Sequence, residues 1–535
     1  MWKLICLVFL FASFAANATD PYPKNEGIDV QHYRFQLELN DSTNIISGHA
    51  TLTLLIKKAI SEFELDLTNQ NSKGEGMQVN QILLNGSPLQ FAHQNDRIKI
   101  ILPTVSIPGQ SLEIILDYGG IPLDGLIISK NKFGDRTFFG DNWPNRGHQW
   151  LPCVDHPSDK ATCEFIVIAP QHYTVIANGK KVEEKSLKKN QKMTRWEERI
   201  DIPIKVMVIG VAHFAIQEAG RVGNIAVESW VYPQNRDAGF SDYACATKIL
   251  DFFQNHIGPY SYEKLANVQS TTRYGGMENA SNIFYSENSV DGKNDHQELI
   301  AHEIAHQWFG NSVTEMDWHH VWLSEGFATY FSHLYMESAY GHDRLVEEIA
   351  ADRDQVLGYF NINSGPVIDT LVTDLMKLLN AHSYQKGSWV LHMLRREMGD
   401  LQFWKGIQNY YQTYRNGNAL TGDFQHIMEE VSRKDLTPFF RQWLWKGSHP
   451  KISGYWKYDP KSKSVKVTIN QVQAGPVFST PLDIGLRLPD GSLPIHTVKL
   501  EGKSQQFSLQ AGNRPLELVL DPKTWLLFEG QIEAQ

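Results

Sequence analysis

Only 4 of the 535 residues are cysteine, which excludes a disulfide-dense secreted scaffold. Cys6 falls in an amino-terminal apolar stretch, leaving Cys153, Cys163 and Cys245, an odd set that cannot pair completely within one chain. Cys153 and Cys163, ten residues apart, form either a disulfide or two buried thiols, and no cysteine has the spacing of a zinc-ligand pair. Positive charge is also in short supply. Fifty Lys and Arg against 60 Asp and Glu give a formal charge of −10, which argues against a nucleic-acid partner held by a basic surface. Repeats and low-complexity tracts are absent, and no stretch reaches the roughly 20 apolar residues of a membrane span.

The apolar stretch that is present, Leu4 to Ala15 behind Lys3, has the length of an export leader. Ala16-Asn17-Ala18 supplies a small-x-small cleavage site, so residues 1–18 read as a signal peptide. The expected mature protein is exported, periplasmic or extracellular, with no stable membrane insertion after the leader is removed.

A chain of 535 residues exceeds one compact core, and 42% hydrophobic with 21% charged residues is ordinary for globular protein. Short alternating runs fill the region from Tyr33 to Phe214. His49–Leu54 and Leu112–Leu116 read as strands, with Asn85-Gly86 as a turn between them. From about Ser241 the period becomes helical, as in Asp343–Phe360, Ser388–Met398, Leu401–Tyr414 and Asp423–Arg433. After Pro450 strands return, and Tyr455–Tyr458 with Val465–Ile469 read as a hairpin across an Asp-Pro-Lys-Ser turn. The expected fold is α+β and multidomain, divided at 19–217, 218–450 and 451–535.

The sharpest feature is His302-Glu303-Ile304-Ala305-His306. The run Glu298–Phe309 has good helix formers without Pro or Gly, and Asn294 or Asp295 is a plausible cap. Positions i and i+4 share a helix face, so both imidazoles can reach one metal, and Glu303 beside them can deprotonate a water. A hydrolytic zinc site needs a third protein ligand. Glu325, nineteen residues after His306 at the start of a second helical pattern, is the best candidate. His296, His319 and His320 lack the register to join the pair.

These residues resemble the gluzincin aminopeptidases, the group of aminopeptidase N and the leukotriene-hydrolase enzymes. Gly275-Gly276-Met277-Glu278-Asn279-Ala280 is similar to that family's Gly-x-Met-Glu-Asn motif. Pro152-Cys153-Val154-Asp155 through Lys160-Ala161 resembles its amino-terminal Pro-Cys-x-Asp segment, and Ser383-Tyr384-Gln385-Lys386-Gly387 its Ser-Tyr-x-Lys-Gly segment. The resemblance covers about Tyr33 to Pro450. It implies a β-saddle or sandwich domain, a thermolysin-like, mostly helical catalytic domain, and a small carboxy-terminal β-sandwich. It also implies a metallo-aminopeptidase of the membrane alanyl aminopeptidase type, with one Zn2+ held by His302, His306 and Glu325. Glu303 would be the general base, acting on a zinc-bound water, and Tyr384 the oxyanion donor. Glu278 would bind the free amino terminus of a peptide substrate, with Gly275, Gly276, Met277 and Asn279 along its backbone.

Three departures from the family pattern stand out. Trp143 occupies the place of a second amine-binding Glu, for which Asp141 is the candidate substitute, and Asn380 replaces an Asp four residues before Tyr384. The 85 residues after Pro450 suit a small β-sandwich rather than a large helical domain, so a more open cleft is expected. The competing readings are a zinc endopeptidase of the thermolysin type and a non-catalytic, secreted zinc-binding relative. The first has no use for Glu278, and the second has little reason to keep Glu303.

Overall fold

The computed structural model describes residues 22–535, so the expected leader and its cleavage site lie outside the described residues. Alternation in Ile28–Glu38, Ile46–Ile56 and Ser111–Ile121 puts Tyr33, Phe35, Leu52, Leu54, Ile114 and Leu116 on buried faces. These strands belong to an eight-stranded sheet in which Lys160–Pro170 runs parallel to Ile28–Glu38. Asn85 and Gly86, at φ 52° and 77°, make a local turn that folds Gly76–Leu84 back onto Ser87–Pro88. Sheets of three and four strands complete this β-rich region.

A strand at Ala215–Val222 begins the next sheet, short of the expected division after residue 217. This sheet has five strands, with Lys264–Ser270 between two parallel neighbours and Gly276–Met277 at the edge. A parallel strand covered on both faces has no solvent side, so every residue of Lys264–Ser270 is buried, the polar Lys264, Asn267, Gln269 and Ser270 included. Helices follow at Gln297–Ala305, Trp322–Tyr340, His342–Phe360, Gly387–Met398, Asp400–Tyr414, Thr421–Ser432 and Thr437–Leu444. The four helices expected after residue 340 are present. Arg433 lies outside the third of the last four, closing it in a left-handed conformation at φ 56°.

The motif helix departs from expectation at both ends. Asn294 sits at φ 60°, His296 occupies the cap position, and the regular helix stops at Ala305 instead of reaching Phe309. Beyond it the chain tightens into three-residue bonds, Gln307 N to Ile304 O and Trp308 N to Ala305 O, ahead of Gly310 at φ 112°.

At the carboxy-terminal end Lys451–Asp459 and Ser464–Gln471 pair as the expected hairpin, within a four-stranded sheet, and a separate three-stranded sheet is built from the same region. Cys153 and Cys163 are both buried free thiols. Cys163 lies mid-strand opposite Tyr33, whereas Cys153 pairs with Asp66, so the two are held apart by different strands. Among the described residues no helix is long and apolar enough to cross a membrane.

Candidate metal centre and peptide cleft

Helical register brings His302 and His306 together as their spacing requires, with the two Nε2 atoms 3.1 Å apart. Glu325 arrives from the first turn of Trp322–Tyr340, its Oε2 3.5 Å from His302 Nε2 and 3.3 Å from His306 Nε2. Ligand bonds of about 2.0–2.1 Å around a tetrahedral zinc ion place ligand atoms roughly 3.3 Å apart, so the triangle fits that ion. His306 Nδ1 donates to the Phe309 carbonyl at 3.1 Å, an outer contact that turns the Nε2 lone pair toward the other two ligands.

Electrostatics point the same way. Burial pushes the His306 imidazole down, but Glu325, Glu278 and Glu303 around it win and raise it to about 10. Glu325 is itself buried, yet the two imidazoles hold its carboxyl well below the usual carboxylate range. A spot that favours positive charge this strongly is suited to a dication.

Glu303 lies beside this triad, fully enclosed, and burial pushes its carboxyl up. The edge strand Gly276–Met277 runs against it so closely that a Cβ on Gly276 would sit 2.4 Å from the Glu303 carboxyl carbon. The absence of a side chain at 276 lets this edge strand lie directly against the Glu303 carboxyl. Glu278 follows directly after this strand. Its backbone carbonyl accepts from Gln307 Nε2 at 2.9 Å and Asn311 Nδ2 at 2.6 Å, while side-chain Oε1 is buried with no hydrogen-bond partner. An orphaned carboxylate oxygen in a cavity wall is a receptor for a cation.

Tyr384 reaches the centre from a single π-helical turn at His382–Lys386, a kind of turn that often marks functional positions. Asn380 builds that turn: its side chain accepts from His382 N at 2.8 Å and donates to Lys377 O at 2.7 Å. The turn is pressed inward where Gly326 meets Gly387, since a Cβ at 326 would lie 2.8 Å from the Gly387 Cα. The Tyr384 ring stacks on His302 with centroids 6.0 Å apart and planes 8° apart. Burial, then Glu325, Glu278 and Glu303, hold its hydroxyl well above the ordinary tyrosine range, so it stays a proton donor.

A cavity of about 590 Å3 joins these groups: Gly275, Gly276, Met277, Glu278, His302, Glu303, His306, Glu325 and Tyr384 all line it. Two residues of the expected set do not. Asp141 is fully buried and already engaged, 2.5 Å from Arg146 Nη2, 3.2 Å from Thr272 Oγ1 and 3.3 Å from Arg273 N. It braces the loop before the edge strand, and Trp143 lines the cavity instead. The Asn279 side chain is buried away from the lining. Tyr274 and Gln385 also line the cavity without a motif that assigns them there, as does a far end built from Asp295, His296, Glu298, His333, Glu348 and Asp352.

Residues 242–443 match the peptidase family M1 domain and residues 29–204 the peptidase M1 N-terminal domain. Human glutamyl aminopeptidase is 28% identical over 334 residues, 58% of this chain and 34% of that protein. Leucyl aminopeptidase of Saccharolobus solfataricus is 24% identical over 449 residues, 79% of this chain and 54% of its own length. The chain thus spans about a third to a half of these curated relatives. A solved M1 zinc metallopeptidase mutant from Deinococcus radiodurans shares the fold at TM-score 0.67, with 24% identity, over 79% of this chain and 96% of that one.

Proposed function

Because this chain belongs to peptidase family M1, we propose that it is a zinc aminopeptidase that removes single residues from the free amino end of peptides. The observation that carries the reading is the unpartnered Glu278 oxygen in the same cavity as the His302, His306 and Glu325 triangle. A single Zn2+ on that triangle would supply Lewis acidity, polarising the scissile carbonyl and lowering the pKa of a nearby water.

The chain's own groups do the rest. Glu278 pairs with the substrate ammonium, and the Gly276–Met277 edge accepts the substrate backbone as an added strand. Glu303 takes a proton from the attacking water and returns it to the leaving amine. The Tyr384 hydroxyl donates to the oxygen that gains charge in the transition state. An endopeptidase has no ammonium to place against Glu278, which sets that reading second. Export to the periplasm or outside the cell is part of the proposal and rests on the leader-like residues 1–18.

The test is one peptide in two forms, free and N-acetylated, given to the zinc-loaded chain. Stepwise trimming of the free form alone, stopped by a chelator, supports the reading. Equal internal cleavage of both forms overturns it. Glu278→Gln should raise KM for the free peptide by about tenfold to a hundredfold, as a charge-assisted contact worth roughly 1.5–3 kcal/mol is lost.

A further inference from the structure

The motif helix orders the cavity. Glu278 is held at the helix's carboxy-terminal side by Gln307 and Asn311, Gly276 meets Glu303, and Gly275 lies nearest Leu299. Protein strand and helix therefore advance together, and a substrate strand with its ammonium at Glu278 must run the opposite way, toward the helix's first turn. From residue 307, in the tight turn after the helix, back to 298 the chain covers on the order of 13 Å. Two extended residues span about 7 Å, so a long side chain of roughly 6 Å on the residue following the scissile bond reaches the far end of the cavity.

That end is lined by Asp295, His296, Glu298, Glu348 and Asp352, and among the described residues no lysine or arginine lines the cavity. Arg344 stands behind it, paired with Glu348 and 3.6 Å from Glu298 Oε2. Even with Arg344 and protonated His296 and His333 counted, four carboxylates face three cations. His333 gives the cluster an inward-facing polar atom. Its Nε2 is fixed by Asp352 Oδ2 at 3.0 Å, while Nδ1 is buried without a hydrogen-bond partner, 3.6 Å from Glu298 Oε1. Nδ1 and one oxygen each from Glu298 and Glu348 lie within 4.8 Å of one another. With Asp352 accepting from Nε2, Nδ1 is an acceptor, and Glu298 and Glu348, when ionised, add two more, matching the three donors of an ammonium.

We propose that this end of the cleft is a specificity subsite for a basic side chain, lysine or arginine, on the substrate's second residue. The inference rests on the aminopeptidase reading above and adds the substrate class. Burial works against charge on His333, yet Asp352, Glu298 and Glu348 raise its pKa, so the spot favours a cation. An incoming ammonium takes the place of that proton.

The test uses the full zinc-loaded chain and tetrapeptides Ala-X-Ala-Ala in which X is lysine, norleucine or glutamate. Release of the first alanine should show kcat/KM for lysine about tenfold above norleucine, a difference near 1.4 kcal/mol, with glutamate lowest. Glu298→Gln and Glu348→Gln, each checked for an unshifted thermal midpoint, should cut the lysine-to-norleucine ratio below about threefold. Equal efficiency for the three peptides overturns the subsite and leaves the aminopeptidase reading standing. Folded variants that keep the original ratio also overturn it. No alanine release from any peptide instead sinks the aminopeptidase reading, and the subsite with it.

Discussion

Two histidine–carboxylate clusters share the motif helix, one turn apart. In the first, His302 and His306 come from that helix and Glu325 from the next, and their ligand atoms sit 3.1–3.5 Å apart. In the second, Glu298 comes from the helix's first turn, His333 from Trp322–Tyr340 and Glu348 from His342–Phe360, with 3.6 Å between His333 Nδ1 and Glu298. The composition is nearly the same, but the assembly differs. Two ligands on one helix have their separation set by backbone geometry before any packing occurs. Three groups on three helices meet only through the packing of those helices, with Arg344 behind them paired to Glu348 and 3.6 Å from Glu298. The first cluster is built for a small dication with short bonds, the second for a larger organic cation.

The widest separation should appear in metal content. His306→Ala removes a ligand, so bound zinc should fall well below one per chain and kcat/KM should drop about a thousandfold or more. His333→Ala should keep zinc near one per chain, read by atomic absorption after dialysis. If the two variants lost metal equally, the division of labour drawn here would collapse. Tyr384→Phe sharpens the first cluster further. It keeps the ring stacked on His302 but removes the donor, so kcat should fall about a hundredfold, with zinc retained and KM little changed. A change in KM alone would make Tyr384 a binding residue.

The same contrast explains what was legible in advance. His302, Glu303 and His306 were readable because a helix converts spacing into position, and Glu325 because its own helix begins at a fixed remove. The hairpin Lys451–Gln471 was readable from strand alternation on both sides of one turn. Asp141 misled because its type suits an ammonium, whereas nothing in the local sequence reveals Arg146, Thr272 and Arg273 closing around it. The end of the motif helix was overestimated because Gln307, Trp308 and Phe309 are acceptable helix residues. What stops the helix is the turn toward Gly310 and the pull of Phe309 O on His306. The far cluster was invisible for the reason already given: its register is tertiary.

The smallest expected effect concerns stability at the second cluster. Asp352 and His333 form a buried pair at 3.0 Å, and Asp352→Asn should cost about 1–3 kcal/mol, seen as a lower thermal midpoint. The pH dependence has a definite sign. Burial lowers the His333 pKa, but Asp352, Glu298 and Glu348 raise it further, so the folded value stands above the unfolded one. The native state then binds the proton more tightly. The pair's electrostatic contribution is fully present below about pH 6.5, the ordinary histidine value, and is lost as pH rises through the folded value. The gap in thermal midpoint between the parent and Asp352→Asn should therefore be wider at pH 6 than at pH 9. A gap that widened toward pH 9 would mean that Asp352 steadies a neutral ring by hydrogen bonding alone. The surrounding carboxylates would then have no measurable pull on a cation there, and the contrast between the two clusters would reduce to geometry.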